Sequence, residues 1–234
     1  MKILVTICAR ARSKRLAGKN TKLLAGKPLI AYTIEAAKRW GRANSVVVST
    51  DSSEIADIAF KYGVQVIFPR PRSLCTDKSP KLPVIKHAVE YLRKNYGEIF
   101  DLIVDLAPTS PLRTAQDIEK AFRIMINEKP KTLFSVAISN KNPYFNLVEV
   151  KKNNFAIISK EPKQPVFRMQ DAPIVYEING AIYMFWGKNL NKMNSIITQK
   201  SRVYIMPAER SVDIDTAIDF KIADLLLKSK IRKC

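Results

Sequence analysis

This sequence contains few histidine and cysteine residues that could take part in catalysis or metal binding. Its one histidine, His87, lies in the helix-like run PVIKHAVEYL, where we interpret it as a packed or surface side chain. The three cysteines, Cys8, Cys75 and Cys234, have neither a CxxC nor any other metal-ligand spacing, and an odd number leaves at least one thiol unpaired. We therefore expect reduced thiols without a role, and we do not expect Ser-His-Asp catalysis.

Long hydrophobic runs are also absent. The sequence has no stretch of about 18 or more uncharged apolar residues, and its N-terminus runs directly into KILVTICA without a cleavable hydrophobic leader. We expect a soluble, cytoplasmic protein with no membrane insertion. The 234 residues, of which 47% are hydrophobic, are enough to bury one sizeable core, which predicts a single domain over 1–234.

Acidic residues are scarce, with 21 Asp and Glu against 40 Lys and Arg and a formal net charge of +19. Such an excess predicts a polyanionic partner, such as nucleic acid, an acidic membrane or a phosphorylated ligand, although solvated lysines that serve solubility are an alternative. Between Met1 and Arg42 there are eleven Lys and Arg residues and one acid, Glu35. This clustering, above all over residues 10–22, favours an anion-binding segment.

Short apolar runs alternate with amphipathic segments up to Asn140. This βαβα order predicts an α/β fold, with a Rossmann-like, mostly parallel, doubly wound sheet and helices on both faces. Two helix starts carry the spacing of a capping box, Asp51 with Glu54 and Thr114 with Asp117. The predicted strands of this series are ILVTICA, SVVVST, VQVIF, DLIVDLA and TLFSVAI.

The pattern changes after Asn140. FNLVEV and FAIIS alternate around a polar turn, which predicts a β-hairpin that leaves the main sheet as an excursion over 140–175. GAIYMF and VYIM are interpreted as strands that return to the sheet, and TAIDFKIADLLLKS as a last amphipathic helix. We expect the inward face of this helix to carry Ile218, Ile222, Ala223 and Leu226.

The loop RARSKRLAGKN follows the first predicted strand. Because ligands of an open α/β sheet bind outside the carboxyl ends of its strands, this loop lies at the expected site. It has neither the Walker A pattern nor GxGxxG. Its composition suits a triphosphate surrounded by charge-assisted hydrogen bonds, and a solvated basic loop is the alternative. The residues concerned are Arg10, Arg12, Ser13, Lys14, Arg15, Gly18, Lys19 and Asn20.

The string ICARARSKRLAGKN resembles the N-terminal signature of the acylneuraminate cytidylyltransferase family, the CMP-sialic acid synthetase-like enzymes, which typically reads Ala-Arg-x-Gly-Ser-Lys followed by Lys-Asn. The resemblance continues in the family's order through KPLIAYTIEAA, VVVSTDSSEIADIA, PTSPLR, NGAIYMF and VDIDTAIDF. It implies a nucleotide-diphospho-sugar transferase type of fold. It also implies transfer of CMP from CTP to a nonulosonic acid sugar, with Mg²⁺ as cofactor and release of pyrophosphate.

Three departures from the sialic acid pattern fall near the sugar side of the implied site. Arg12 replaces the usual glycine, Ala107 stands where sialic acid enzymes typically have glutamine, and Glu177 stands where they often have arginine. SPKLPV and NPYFNLVEV, together with the acid at 177, resemble the branch that acts on legionaminic acid. We therefore expect a legionaminate-type acceptor more than plain N-acetylneuraminic acid.

The resemblance also implies roles for individual residues. Lys19, Arg10 and Asp215 would act in catalysis. Asp213 and Asp215 match the family's metal-binding pair, for which capping of the last helix by Asp215 is the alternative. The residues implied to bind the nucleotide are Arg10, Ser13, Lys19, Asn20, Arg70 and Asp77. Those implied to bind the sugar are Thr109, Ser110, Arg113, Arg168, Gln170 and Asn179, where Arg168 matches only if the chain bulges by one position.

Family members are usually homodimers in which a small excursion reaches into the partner's site, and this likeness predicts a homodimer formed through the 140–175 hairpin. A CMP-Kdo synthetase or another sugar nucleotidyltransferase is the nearest alternative function, although PTSPLR and NGAIYMF fit those families less well. A basic nucleic-acid-binding protein is a further alternative. Because the 10–22 loop has no interleaved aromatic residues, we do not expect a nucleic-acid partner.

Overall fold

The computed structural model describes residues 1–13, 15–76, 79–162 and 164–231, with side chains up to Ser229. None of the helices in these ranges has the length and apolar character needed to cross a bilayer. The helices are α1 Leu29–Trp40, α2 Ser53–Lys61, α3 Lys81–Tyr96, α4 Ala115–Glu128, α5 Gly187–Leu190 and α6 Ala217–Ile231. The strands are β1 Ile3–Cys8, β2 Leu23–Leu24, β3 Lys27–Pro28, β4 Ser45–Ser49, β5 Gln65–Ile67, β6 Leu102–Leu106, β7 Thr132–Ile138, β8 Val148–Val150, β9 Ala156–Ile158, β10 Tyr176–Trp186 and β11 Ser201–Ile205.

The main sheet has seven strands over the described residues, in the order β11-β7-β10-β6-β1-β4-β5. β1 pairs in parallel with β4 and β6, β4 with β5, and β7 with β11. β10 runs antiparallel to both of its neighbours, β6 and β7. The predicted mostly parallel α/β sheet is therefore confirmed. The antiparallel direction of the internal strand β10 is a feature that the sequence pattern did not predict.

Helices cover both faces of this sheet because alternate side chains of each strand point to opposite sides. In β1, Ile3, Val5 and Ile7 pack with side chains of α1, α2 and α4, whereas Leu4 packs with those of α3. β6 is buried along its whole length, as expected for a strand covered on two sides. The doubly wound arrangement leaves the ends of the strands as the exposed part of the sheet.

The two predicted capping boxes differ in outcome. Thr114 caps α4 and exchanges hydrogen bonds with Asp117, so this prediction is confirmed. The prediction for α2 is wrong, because the N-cap is Ser52, whose Oγ accepts from the backbone N–H of Ile55 at 3.3 Å. Asp51 instead accepts a hydrogen bond from the backbone of Ala11 at 2.7 Å, which ties it to the basic loop after β1.

β8 and β9 form an antiparallel hairpin separate from the main sheet, as the alternating segments predicted. The interpretation of α6 is partly wrong, since Ile218 and Ile222 are 69% and 43% exposed. The buried side of α6 is carried by Ala223, which packs with Leu24 and Ile214. α6 has apolar residues around most of its circumference, so spacing alone did not identify the face that packs.

A buried carboxylate joins α4 to the segment that follows β11. Asp117 is fully buried and accepts hydrogen bonds from Arg210 at 3.0 Å and from the Tyr204 hydroxyl at 2.8 Å. Burial by itself raises the pKa of Asp117, but the hydrogen bonds from Arg210, Thr114 and Tyr204 outweigh it, and the pKa lies below its ordinary value. This contact fixes the chain just before the VDIDT segment.

We predict that Asp117→Asn lowers stability by about 2–3 kcal/mol and the melting temperature by roughly 5–10 °C, because Arg210 loses its buried partner. Thermal unfolding of the variant measures this. A carboxyl group whose folded-state pKa is lowered stabilises the fold at neutral pH, and its contribution disappears as the pH falls through that pKa. The difference from the wild type should therefore shrink below about pH 4.

Glu209→Gln is the matched control, since Glu209 pairs with the same Arg210 from an exposed position. It should change stability by less than about 0.5 kcal/mol. A loss for Asp117→Asn that is equal at neutral and at strongly acidic pH would contradict the assignment.

Candidate active site

A cleft of about 280 Å³ opens at the carboxyl ends of β1 and β6. A larger hollow of about 650 Å³ lies along α3, and its lining includes Lys86, Glu90 and Arg93 but no residue of the loops that follow β1 and β6. The smaller cleft lies where ligands of open α/β sheets bind. Its lining residues are Cys8, Arg10, Lys19, Asn20, Arg70, Leu74, Thr76, Ser79, Lys81, Val84, Ala107, Pro108 and Thr109.

The basic loop after β1 meets the VDIDT segment at the edge of this cleft. Lys19 Nζ donates to Asp215 Oδ1 at 2.9 Å and to the carbonyl oxygen of Ile214 at 2.8 Å. Arg15 Nη1 donates to the other oxygen of Asp215, also at 2.9 Å. The structure therefore brings together Lys19 and Asp215, which are 196 positions apart in the chain and which the sequence placed in one site.

Asp215 does not cap the last helix. The backbone N–H groups of Asp215 and Thr216 both donate to Asp219 Oδ2, at 3.1 and 2.7 Å. The backbone N–H of Asp219 in turn donates to the Thr216 hydroxyl at 3.3 Å. Because Thr216 and Asp219 satisfy the start of α6, the alternative role for Asp215 is excluded, and its carboxylate faces the basic loop.

Asp213 lies on the other side of the buried Ile214. Burial raises the pKa of Asp213 and the nearby charge of Asp215 adds to the rise, whereas a hydrogen bond from Thr109 and the cation of Lys19 oppose it. A bound cation stabilises the ionised form of a carboxyl group, such as that of Asp213, whose pKa is raised by burial and by a neighbouring negative charge. Such an arrangement favours cation binding at this end of the cleft.

These two carboxylates fit Mg²⁺. Within the described ranges, no group of three or more His, Cys, Asp and Glu side chains is placed to hold a metal. Mg²⁺, however, is commonly held through one or two carboxylates, with substrate phosphates and water as its other ligands. Asp213 and Asp215 therefore fit a magnesium ion that shares its coordination with a nucleotide triphosphate.

The predicted nucleotide-binding residues are partly gathered in the cleft. Arg10, Lys19, Asn20 and Arg70 line it, whereas Ser13 does not. The Asn20 amide donates to the carbonyl oxygen of Arg10 at 3.0 Å, and its own oxygen is buried without a hydrogen-bond partner among the described residues. That oxygen is available to a donor on a ligand. Asp77 lies outside the described residues.

Two of the predicted sugar-binding residues lie beneath the cleft surface. Arg113 is 3% exposed, and its guanidinium donates to the carbonyl oxygens of Ala107 and Ala181 at 3.0 and 2.9 Å. Asn179 is also buried, and its oxygen accepts from the Ser135 hydroxyl at 2.6 Å. These are the contacts of supporting groups that hold loops in place. A direct contact of either residue with a sugar stays a prediction.

The remaining predicted sugar-binding residues are divided between the cleft and the excursion. Thr109 lines the cleft, and Ser110 is buried beside it. Arg168 is exposed and pairs with Asp171 at 2.9 Å, and neither Arg168 nor Gln170 is among the residues that line the cleft. The structure of the single chain does not bring this pair to the site.

Sequence reasoning missed a charged pair in the cleft. Lys81 Nζ donates to Asp105 Oδ2 at 2.8 Å, and the Thr6 hydroxyl donates to Asp105 Oδ1 at 2.9 Å. Burial by itself lowers the pKa of Lys81, but the neighbouring Asp105 carboxylate outweighs it and raises the pKa. The signal in the sequence was a single acid, Asp105, between the apolar runs LIV and LA of a strand that is buried along its length.

The backbone turns sharply at Gly180, beside the carboxylate pair. Gly180 has a φ of +70°, and β10 changes register between Ile178 and Tyr183. A Cβ atom at this position would lie 3.9 Å from both Asp213 Oδ2 and the Tyr183 hydroxyl. Left-handed backbone of this kind favours glycine, which explains the Asn-Gly pair in NGAIYMF.

Comparison with known proteins identifies relatives over the full length of this chain. A family model described as cytidylyltransferase matches residues 4–233. The chain is 37% identical over 232 residues to the CMP-N,N'-diacetyllegionaminic acid synthase of Legionella pneumophila, a match that covers 97% of each chain. It is 36% identical over 228 residues to the protein of the same name in Campylobacter jejuni, covering 97% of this chain and 96% of that one.

A solved structure shares the fold. The structure of a CMP:2-keto-3-deoxy-manno-octonic acid synthetase complexed with CTP matches with a TM-score of 0.69, over 98% of this chain and 100% of that chain. Its sequence identity of 19% shows the common fold alone. The family match spans nearly the whole sequence, and the two synthases are similar over their full lengths, so the predicted nucleotidyltransferase activity is confirmed. This chain belongs to the cytidylyltransferase family.

Proposed function

We propose that this enzyme transfers CMP from CTP to a nonulosonic acid of the legionaminic acid type, with Mg²⁺ as cofactor. The observation that carries the proposal is the contact between Lys19 and Asp215 at a cleft lined by basic residues. The full-length similarity to two proteins named CMP-N,N'-diacetyllegionaminic acid synthase supports the choice of sugar. We further propose a cytoplasmic location, since the nucleotide substrate is found there.

The proposed reaction exchanges one phosphorus–oxygen bond for another. The anomeric hydroxyl oxygen of the sugar bonds to the α-phosphorus of CTP, and its proton is released. The bond from the α-phosphorus to the oxygen that bridges to the β-phosphorus breaks, and pyrophosphate departs with that oxygen. The protein therefore has to hold three phosphates and a sugar carboxylate together, and positioning and charge stabilisation supply most of the catalysis.

The residues of the basic loop are placed to provide this stabilisation. Lys19 is held by the Ile214 carbonyl oxygen and by Asp215, so its ammonium group is fixed at the edge of the cleft before any ligand binds. Arg10 and Arg70 line the same cleft and are placed to contact phosphate oxygens. Asp213 and Asp215 would hold Mg²⁺. When bound, the ion neutralises charge on the phosphates.

The sugar side of the cleft supports a legionaminate-type acceptor more than plain N-acetylneuraminic acid. Ala107 lines the cleft where a glutamine is typical of sialic acid enzymes, so that position offers no side-chain hydrogen bond. Glu177 is exposed near the start of β10 and places an acid where sialic acid enzymes often carry a base. CMP-Kdo synthesis is the second candidate, because a protein of that name complexed with CTP has the same fold.

We also propose that the enzyme is a homodimer in which the hairpin excursion lies at the subunit contact. Exposed apolar side chains are frequent in this excursion, including Val150 at 66%, Phe155 at 69% and Phe167 at 82%. Apolar side chains at this density on a surface are typical of protein contacts. Arg168 does not line the cleft of its own chain. In a dimer of this kind it would lie close to the partner subunit.

Substitution of either member of the Lys19–Asp215 ion pair tests the catalytic assignment. Asp215→Ala and Lys19→Ala should each reduce kcat/KM by roughly 30-fold to 1000-fold, because each removes a contact worth about 2–4 kcal/mol in the transition state. Asp215 is partly exposed, so stability should change by less than about 1 kcal/mol. Pyrophosphate release and thermal unfolding measure the two effects.

Asp219→Ala and Lys22→Ala are matched controls for these variants. Asp219 caps α6 and leaves the Asp215 carboxylate in the chain when it is replaced, so its loss should lower the melting temperature and reduce turnover far less than Asp215→Ala does. Lys22 lies 5.5 Å from the Phe220 ring, outside the cleft lining. Full turnover by Asp215→Ala at limiting Mg²⁺ would remove the metal assignment.

An acceptor panel tests the sugar. With CTP and Mg²⁺, pyrophosphate release should be fastest with N,N'-diacetyllegionaminic acid and slower with N-acetylneuraminic acid, pseudaminic acid and Kdo. The physical reason is the replaced side chains at Ala107 and Glu177, which remove the contacts typical of sialic acid enzymes. Turnover with Kdo and none with the nonulosonic acids would favour the second candidate.

Introduction of charge at apolar positions of the hairpin tests the dimer. Phe155→Asp combined with Val150→Asp should convert the protein from dimer to monomer in analytical ultracentrifugation, because two charges would be buried without partners. Ile218→Asp is the control, since Ile218 on α6 is 69% exposed, as Phe155 is. A dimer that survives the hairpin variant and dissociates in the control would place the contact on α6.

A further inference from the structure

The pair formed by Lys81 and Asp105 is unexplained by the function proposed above. Asp105 lies in the centre of the sheet, between β1 and β10, and is fully buried. Replacing a buried ion pair by apolar residues of similar size is often neutral or stabilising, so such a pair is weak evidence for a stabilising role.

The two ends of the pair face different surroundings. The side chain of Asp105 is 1% exposed, whereas that of Lys81 is 31% exposed and lines the cleft. Asp105 is the one hydrogen-bond acceptor of Lys81 Nζ among the described residues, so the remaining N–H groups of the ammonium are available to a ligand. Lys81 is also the first residue of α3, where the helix dipole disfavours a cation and no acid lies in the first turn.

A second contact fixes the direction of the lysine. Lys81 Nζ lies 4.7 Å from the centre of the Tyr183 ring. The hydroxyl of Tyr183 and Asp213 Oδ2 are both 3.9 Å from the point where a Cβ atom of Gly180 would stand. Lys81 is therefore directed toward the end of the cleft that holds the predicted metal-binding carboxylates.

From this geometry we propose that Lys81 is a substrate-binding residue, whose ammonium group donates to an anionic oxygen of the substrates at the reacting end of the cleft. Asp105 acts as its buried counter-ion, and Tyr183 directs it. The oxygen belongs to the α-phosphate of CTP or to the carboxylate of the sugar acid. This inference rests on the proposed function and adds a binding residue to the same site.

The charge balance of the cleft supports this role. The ammonium group of Lys19 is paired with Asp215, and the guanidinium group of Arg70 lies 3.9 Å from the Asp51 carboxylate. Lys81 reaches the cleft from its α3 side, as the first residue of that helix, and not from the basic loop. A cation on that side gives an anionic ligand a second point of attachment, which orients it for in-line attack.

The test compares two variants with the wild-type enzyme. In Lys81→Met with Asp105→Leu, both charges are replaced by apolar groups of similar size, so the fold should survive. Lys81→Arg keeps the charge with a different hydrogen-bond geometry. Lys86→Met is the control, because Lys86 lies on the same helix, α3, and donates to the carbonyl oxygens of Asn191 and Met193 outside the cleft.

Two measurements separate the sources of the anionic oxygen. Calorimetric binding of CTP with Mg²⁺, in the absence of any sugar, reports contact with the phosphate. The KM for the sugar acid that the wild type uses best, at saturating CTP, reports contact with the carboxylate. We expect the double variant to lose roughly 30-fold or more in kcat/KM at an unchanged melting temperature. A weaker CTP affinity or a raised sugar KM accompanies this loss, and Lys86→Met behaves as the wild type.

Wild-type CTP affinity together with a wild-type sugar KM in the folded double variant would overturn the proposal. Failure of both the double variant and Lys81→Arg to fold would also overturn it, since the pair would then be structural. The wild-type enzyme's response to the acceptor panel tests the proposed function separately. An enzyme that uses none of the acids would contradict the proposed function, while a lowered CTP affinity of the double variant would still support a substrate-binding role for Lys81.

Discussion

The site depends on one ion pair between distant parts of the chain. Lys19 Nζ and Asp215 Oδ1 lie 2.9 Å apart, and they join the loop after β1 to the segment before α6. In a doubly wound sheet these two parts are separated by the whole sequence of strands and helices, so they meet only if the fold is complete. The pair thus places a cation and a carboxylate at one edge of a cleft that has to hold several negative charges.

Beneath this edge lies a layer of buried polar contacts that holds the loops. Arg113 binds two backbone carbonyl oxygens, Asn179 binds Ser135, and Asp117 binds Arg210. Each of these groups would be costly to bury alone, and each makes at least one hydrogen bond inside the protein. These buried hydrogen bonds hold in place the loops that carry the residues of the site.

Much of this could be predicted from sequence, because the relevant signals are local. Alternating apolar runs gave the strands, and Thr114 with Asp117 gave a capping box. The signals that failed depend on tertiary structure. Asp51 accepts a hydrogen bond from the backbone of Ala11 and therefore does not cap α2. The buried face of α6 is determined by the packing of Ala223 against Leu24 and Ile214. The pairing of Lys81 with Asp105 joins residues 24 apart on different elements, which no spacing rule connects.

The left-handed turn at Gly180 limits how this enzyme can be altered. The space beside its α-carbon is sufficient for a methyl group, because the nearest atoms would be 3.9 Å away. The obstacle is the backbone itself, since a φ of +70° is disfavoured for residues with a side chain by about 1–2 kcal/mol. Laboratory evolution toward new acceptors would therefore leave this glycine in place and find its successful changes among neighbouring side chains, such as Ala107 in the cleft wall.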